Sequence, residues 1–269
     1  MIKLIASDLD ETLLSTDRTV SLKNREYIQK ARDKGVKFVC ATGRGYSSIQ
    51  TTLEEIGSKD MEGEYTISYN GGVITENKDN RLIHFEGLDF DTAEKLFFNG
   101  LKYDVCIHVY TLETVWIYNI FDGEIDYLNG RMAFTAFDDK NLDFLKGQEI
   151  IKVLYVNTDR AYLNQIEQDM VHMTEDLDVS YSSNRYLEFN KKGVNKGAAM
   201  HILGNLLGIR KEEMAAVGDN YNDLSMIRAA GLGAGVANTV ETMKPECDVI
   251  LETTNDEDAI ADLIRQYVL

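Results

Sequence analysis

The sequence has few of the residues that build disulfide frameworks, zinc sites and rigid linkers. It contains three cysteines, four histidines and one proline in 269 residues. The cysteines Cys40, Cys106 and Cys247 are odd in number, lie far apart and form no CxxC pair, which fits a reducing compartment and argues against a zinc site. The histidines show no ligand spacing. With one proline there is no Pro-rich linker, so domain boundaries must be inferred from the residue pattern.

Basic residues are outnumbered by acidic ones, 28 to 45, and long apolar runs are scarce. The net charge is -17, which argues against nucleic acid or an anionic membrane as a partner. No stretch approaches the length of a membrane span, and the first apolar run, 2–6, is soon followed by Asp8, unlike a signal peptide. We therefore expect a cytoplasmic protein. No feature of the sequence indicates an oligomeric state.

The residue pattern changes twice along the chain. The first part alternates buried strands such as KLIAS and VKFVCAT with amphipathic helices, and the last part returns to this alternation with EMAAVGD. Such alternation predicts a parallel sheet covered by helices on both faces. Between them, residues 84–185 read as helices beside antiparallel strands rich in aromatic and β-branched residues. We therefore predict a doubly wound α/β core, formed by 1–83 and 186–269, with an inserted α+β domain.

The first predicted strand is followed by two aspartates, Asp8 and Asp10, with one residue between them. Side chains two residues apart on a strand point the same way, so we expect both carboxylates near one spot. Two such charges repel each other, and either one of them holds a proton or a cation lies between them.

Other predicted strands also end in polar residues. Thr42-Gly43-Arg44 follows VKFVCA, and Asp219 follows the MAAV strand in the stretch GDNYND. Ligands of open parallel sheets bind beyond the carboxyl ends of the strands. Carboxylates beside a threonine, a lysine and an asparagine suit an oxyanion held against a hard divalent cation such as Mg²⁺.

Four stretches together resemble a known family. They are DLDETLL, ATGR, the lysine of GVNKGAA, and GDNYNDLSM. In this order the sequence resembles the haloacid dehalogenase-like phosphatases of the Cof type, which carry a large C2-type cap in their Rossmann-like core. The resemblance implies a Mg²⁺-dependent phosphoric monoester hydrolase whose cap, here 84–185, supplies most of the substrate specificity. Two positions depart from the family pattern: Glu11 replaces the usual glycine, and Gly45 replaces a frequent proline.

The resemblance also implies roles for individual residues. Asp8 would be the nucleophile that forms an aspartyl-phosphate, and Asp10 the general acid and base. The ligands of Mg²⁺ would be Asp8, the backbone carbonyl of Asp10, and Asp219. The phosphoryl oxygens would be bound by the side chains of Thr42, Lys196 and Asn222 and by the N–H groups of Leu9 and Gly43.

For three further residues the sequence leaves two possible roles open. Asp223 either orients Lys196 or a metal-bound water, or it only favours the start of its helix. Arg44 either contacts the substrate or forms a surface ion pair. Asn70, in the stretch NGG, either lines the site or forms only a turn between two strands.

Alternatives remain at the level of function. A phosphomutase uses the same aspartyl-phosphate but returns the phosphoryl group to a sugar. A receiver-type signalling domain also has an acidic cluster with a threonine and a lysine, but its acceptor aspartate follows a middle strand and it lacks so long an insertion. Among substrates, the resemblance favours sugar phosphates, with flavin mononucleotide and the pyridoxal and thiamine phosphates as alternatives.

Overall fold

The computed structural model describes residues 1–130, 132–182 and 184–269. Arg131 and Ser183, both inside the predicted insertion, lie outside the described residues. The chain divides into two compact units, which are 1–85 with 195–269, and 86–194. The second boundary lies nine residues beyond the predicted Arg185, because the strand Tyr186–Lys191 pairs within the sheet of the second unit. The first boundary lies after Phe85, since Arg81–Phe85 is an edge strand of the first unit.

The described residues contain eight α-helices and fourteen strands. The helices are α1 Leu22–Asp33, α2 Gln50–Glu55, α3 Phe90–Gly100, α4 Asp122–Leu128, α5 Arg160–Met170, α6 Lys196–Leu207, α7 Leu224–Ala229 and α8 Ala259–Tyr267. The strands are β1 Leu4–Ser7, β2 Lys37–Ala41, β3 Tyr65–Ser68, β4 Val73–Glu76, β5 Arg81–Phe85, β6 Cys106–Thr111, β7 Val115–Tyr118, β8 Thr135–Phe137, β9 Ile150–Val156, β10 Leu177–Ser182, β11 Tyr186–Lys191, β12 Met214–Gly218, β13 Leu232–Gly235 and β14 Val249–Ile250.

The first unit is built on an eight-stranded sheet in the order β14-β13-β12-β1-β2-β3-β4-β5. The strands from β14 to β3 are parallel, whereas β4 and β5 extend the sheet as antiparallel edge strands. All four residues of β1 are buried, as expected for a strand covered on both faces. Because β1 lies between β12 and β2, the residues after all three strands meet at one edge of the sheet.

Helices cover both faces of this sheet, as the alternation in the sequence predicts. Successive residues of β1 and β2 point to opposite faces, so that Ile5 and Phe38 pack with α1 and α8, whereas Leu4 and Val39 pack with α6 and α7. Helix α1 begins where the Ser21 side chain accepts a hydrogen bond from the Asn24 N–H, which satisfies one of the free donors of its first turn. The doubly wound α/β fold is therefore confirmed.

The second unit is an α+β unit with a six-stranded sheet in the order β10-β11-β9-β6-β7-β8. Its central pairs are antiparallel, and only β7 and β8 are parallel. One face packs against α3 and α5 through residues such as Phe97 and Ile166. The other face carries a smaller apolar cluster that includes Leu128 of α4. Within the described residues, no helix combines the length and apolar character that crossing a bilayer requires.

Candidate active site

A buried lysine joins two aspartates at the carboxyl edge of the first unit's sheet. Lys196 is fully buried, and its Nζ donates to Asp8 Oδ1 at 2.5 Å and to Asp223 Oδ1 at 2.6 Å. Both acceptors are themselves buried. Since charge-assisted hydrogen bonds at this distance are strong, the three side chains fix one another's positions.

Secondary structure brings these residues together. The Asp8 N–H donates to the Val217 carbonyl oxygen at 3.0 Å, which continues the ladder between β1 and β12 by one residue. Lys196 is the first residue of α6, where the side chain of the preceding Asn195 accepts from the Ala198 N–H at 2.9 Å. The lysine is thus held at a capped helix start beside the end of the central strand.

Asp223 is held by its own turn. Its Oδ2 accepts from the N–H groups of Asp219 and Asn220, at 3.0 and 3.2 Å. The carboxylate can fold back in this way because Gly218 has no side chain: a Cβ there would lie 2.4 Å from the Asp223 Cβ. Both oxygens of Asp223 therefore already accept hydrogen bonds from the protein.

Asp219 completes an acidic cluster. One carboxylate oxygen from each of Asp8, Asp219 and Asp223 lies within 4.8 Å of the others. Three carboxylates and the single ammonium of Lys196 leave a net charge of about minus two when all are ionised, which suits a divalent cation. Since Asp223 is already engaged on both oxygens, Asp8 and Asp219 are the better candidates for binding a metal.

Thr12 is a site residue to which the sequence interpretation assigned no role. Its Oγ1 donates to Asp219 Oδ1 at 2.8 Å across 207 positions of the chain. The available signal was its place in the DLDET stretch, four residues after Asp8. The hydrogen bond orients Asp219 and leaves its second oxygen to other partners.

Burial raises the pKa of two of these carboxyl groups. The pKa of Asp8 rises from 3.8 to about 7, mainly because the group is desolvated; Lys196 lowers it, and Asp223 and Asp219 raise it further. Burial likewise raises the pKa of Asp219 to about 6, against the effect of the Thr12 hydrogen bond. For Lys196, burial acts to lower the pKa, but the carboxylates of Asp8 and Asp223 outweigh it and raise the pKa. Lys196 therefore stays protonated and positively charged although it is buried.

Asp10 lies in a different environment from Asp8. The strand ends at Ser7, and the backbone of Glu11 is left-handed with φ 58°, so the alternation expected of a strand does not extend to Asp10. The Asp10 side chain is 53% exposed and pairs with Arg44, whose Nε donates to Oδ2 at 2.9 Å and whose Nη2 donates to Oδ1. Asp8 is thus paired with Lys196 and Asp10 with Arg44.

Two of the other predicted oxyanion-binding groups, Thr42 and Gly43, lie in the loop after β2. Thr42 is buried, and its Oγ1 accepts from the Arg44 N–H at 3.1 Å. The Asn70 side chain lies against Gly43, with Oδ1 3.2 Å from where a Cβ would stand. Leu9 is buried, whereas Asn222 is exposed in the turn before α7. The structure joins Asn70 to this loop through an Asn70 N–H to Thr42 carbonyl hydrogen bond of 2.9 Å.

Comparison with known proteins points to one family. A family model described as haloacid dehalogenase-like hydrolase matches residues 5–264. In Bacillus subtilis, the 5-amino-6-(5-phospho-D-ribitylamino)uracil phosphatase YcsE is 30% identical and the alignment covers 100% of this chain and 96% of that protein. Phosphatase YwpJ from the same organism is also 30% identical, over 99% of this chain and 100% of the relative. A crystal structure of a haloacid dehalogenase-like hydrolase from Bacteroides thetaiotaomicron superposes with a TM-score of 0.84 at 29% identity, covering 99% of each chain.

The left-handed backbone of Glu11 generates a stability prediction. We expect Glu11→Gly to raise the free energy of unfolding by about 0.5–1 kcal/mol, because the relieved backbone strain exceeds the entropy that glycine adds to the unfolded chain. Glu11→Gln is the matched control, since it removes the charge and keeps the strain. Urea unfolding of both variants measures the difference. Equal stabilities of the two variants would show that the relieved strain does not exceed the entropy that glycine adds to the unfolded chain.

The raised carboxyl pKa values predict how stability depends on pH without metal. A folded-state pKa above the unfolded value favours folding at low pH, and that contribution is lost as the pH rises through the folded pKa. For Asp219 and Asp8 this window extends from about pH 4 to about 7. We expect the Tm of the metal-free protein to fall by several degrees across it.

Two comparisons separate the contribution of these carboxyl groups to the pH dependence of Tm from that of the other acidic residues. Asp219→Asn should flatten the pH dependence of Tm, because the amide does not ionise. Mg²⁺ should raise Tm more at pH 8 than at pH 5.5, since metal and protons compete for the same carboxylates. An identical slope in Asp219→Asn and the parent protein would remove Asp219 as its source.

Proposed function

Since the chain belongs to the haloacid dehalogenase-like hydrolases, we propose that it is a Mg²⁺-dependent phosphatase that hydrolyses small phosphorylated metabolites. The family expected from the four sequence motifs is confirmed. Relatives that match essentially the whole chain are named as phosphatases, which supports hydrolysis of phosphoric monoesters.

The observation that carries the proposal is the buried bridge from Lys196 to Asp8. A carboxylate is a weak nucleophile unless it is fixed in position and the repulsion of its target is reduced. Lys196 holds Asp8 through Oδ1 at 2.5 Å, and it places a positive charge where an incoming phosphoryl group would need one. Asp223 in turn holds Lys196, which supports the orienting role over that of simple helix capping.

The proposed first step is a transfer of the phosphoryl group to Asp8. A carboxylate oxygen of Asp8 attacks phosphorus and forms an acyl-phosphate bond, while the bond from phosphorus to the ester oxygen breaks. The leaving alkoxide takes a proton from Asp10. In the second step Asp10 accepts a proton from water, the water oxygen attacks phosphorus, and the Asp8–phosphate bond breaks to release inorganic phosphate.

Arg44 adds a condition to this scheme. It occupies both carboxylate oxygens of Asp10, so Asp10 can exchange a proton with a substrate only after Arg44 has moved. A substrate anion offers the guanidinium an alternative partner of the same charge. We therefore assign Arg44 a substrate contact that forms as its pairing with Asp10 breaks.

The remaining groups have binding roles. Thr42, Lys196, Asn222 and the N–H groups of Leu9 and Gly43 would hold the phosphoryl oxygens, with Asn70 beside them. Asp8, Asp219 and the backbone carbonyl of Asp10 would hold Mg²⁺, and the buried, net negative cluster fits such a cation. When bound, the metal screens the repulsion between Asp8 and a phosphate dianion.

The name of one relative supports a substrate class. YcsE is named for a substrate whose phosphate is carried by a ribityl chain, a small polyhydroxylated group. We propose a phosphate ester of comparable size, with sugar phosphates as the first class to examine.

The nucleophile assignment is tested by two isosteric substitutions. Asp8→Asn should lower kcat by at least about 10,000-fold with every substrate, because the amide does not attack phosphorus. Asp10→Asn should lower kcat by about 100- to 10,000-fold with an alkyl phosphate. With p-nitrophenyl phosphate, whose leaving group needs no proton, the decrease in kcat of Asp10→Asn should be much smaller. The exposed Asp33→Asn on α1 is the control and should leave kcat intact. Normal turnover by Asp8→Asn would refute the mechanism.

Metal dependence and substrate are tested together. Chelation should abolish phosphate release from a panel of phosphorylated metabolites, and Mg²⁺ should restore it. Asp219→Asn should need a higher Mg²⁺ concentration for half-maximal activity, because one of the anionic ligands is lost. Full activity after exhaustive chelation would exclude the metal role. Isomerised sugar phosphates without phosphate release would identify a mutase instead.

A further inference from the structure

Three successive residues after β3 have left-handed backbones. The φ angles of Tyr69, Asn70 and Gly71 are 52°, 54° and 105°. A residue with a Cβ is disfavoured in this region, and two in a row persist only where the surroundings hold them. The contacts of this segment therefore show what it is held against.

On one side the segment holds the loop after β2. The Tyr69 N–H donates to the Arg44 carbonyl oxygen at 3.0 Å, and the Asn70 N–H donates to the Thr42 carbonyl oxygen at 2.9 Å. These two hydrogen bonds bracket Gly43, the residue between the two acceptors. The left-handed turn directs both N–H groups toward the same loop. In a continued strand, successive N–H groups would point to opposite sides.

On the other side the segment touches the start of α6. A Cβ on Gly71 would lie 2.3 Å from the Asn195 carbonyl oxygen and 3.1 Å from the Lys196 nitrogen. These atoms are backbone, so no side-chain rotation could relieve the overlap. The backbone of Gly71 is in direct contact with the peptide that leads into Lys196.

We propose that Tyr69–Gly71 is a positioning segment that sets the separation between the Thr42–Arg44 loop and Lys196. The inference rests on the proposed function, because both of these are phosphoryl-binding groups only if the protein is a phosphatase. The backbone of this segment acts on the reaction through the two groups it contacts, the loop after β2 and the start of α6. The one strained turn thus aligns two binding groups that are more than 150 residues apart in the chain.

The main test compares two glycine substitutions. Gly35 also has a positive φ, of 80°, but nothing lies within 4 Å of a Cβ built on it. Gly35→Ala and Gly71→Ala therefore share the backbone penalty, and only Gly71→Ala displaces the start of α6. We expect both variants to have a lower Tm, but only Gly71→Ala to lose kcat, by about 100-fold for a displacement near 1 Å. Unaltered kcat in a folded Gly71→Ala protein would overturn the proposal.

A milder pair covers the case in which Gly71→Ala does not fold. Asn70→Gly and Asn70→Ala both remove the amide, but only alanine opposes the left-handed backbone. A decrease in kcat/KM that both variants share measures the contribution of the Asn70 side chain. Any further decrease in Asn70→Ala measures the contribution of the left-handed backbone. We expect kcat/KM of Asn70→Ala to be about tenfold below that of Asn70→Gly. Equal kcat/KM values would contradict positioning by the backbone.

A crystallographic measurement separates this inference from the proposed function. The structure of Gly71→Ala, or of Asn70→Ala in its place, should show an altered separation between Thr42 and Lys196 relative to Gly35→Ala. An unaltered separation overturns the positioning role whatever the enzyme's activity. Absence of phosphatase activity in the parent protein would instead refute the proposed function, and the displacement would still be measurable.

Discussion

The ammonium of Lys196 is the group on which the site depends. It is fully buried and satisfied by Asp8 and Asp223, so three parts of the chain that are remote in sequence are held by one charge. Losing either carboxylate would remove one of the two hydrogen-bond acceptors of this buried ammonium and leave the other as its only anionic partner in the pair. Two features of the backbone keep these charges in contact: the capped start of α6, which presents Lys196, and Gly218, which lets Asp223 fold back.

The topology of the sheet makes this arrangement possible. The central strand β1 lies between β2, which follows it closely in sequence, and β12, which follows about two hundred residues later. Because all three are parallel, the residues after them emerge at one edge, where Asp8, Thr42 and Asp219 come from adjacent strands. The long second unit leaves this relation intact, since it is inserted between an edge strand and α6 rather than within the parallel strands.

The sequence was informative wherever a residue's place was set by the strand it follows. The buried runs around Ile5, Phe38 and Ala215 predict the central strands, and from these the positions of Asp8, Thr42 and Asp219 follow. The sequence did not show which side chains form hydrogen bonds with residues distant in the chain. Thr12 donates to Asp219, and Arg44 takes both oxygens of Asp10, because of tertiary contacts that leave no local pattern. The second unit also extends nine residues beyond the predicted boundary at Arg185, because the strand Tyr186–Lys191 pairs with β9 and β10 of that unit.

The position of β12 also has a consequence for synthesis on the ribosome. A nascent chain that ends before residue 195 contains β1, β2 and the whole second unit, but neither α6 nor the strand that pairs with the other side of β1. One edge of an apolar central strand then stays unpaired until β12 has been synthesised, and such edges favour association with other chains. The second unit, whose strands are contiguous in sequence, has all its pairing partners by then. The first unit therefore completes its sheet later than the second, although its first strand is synthesised earlier.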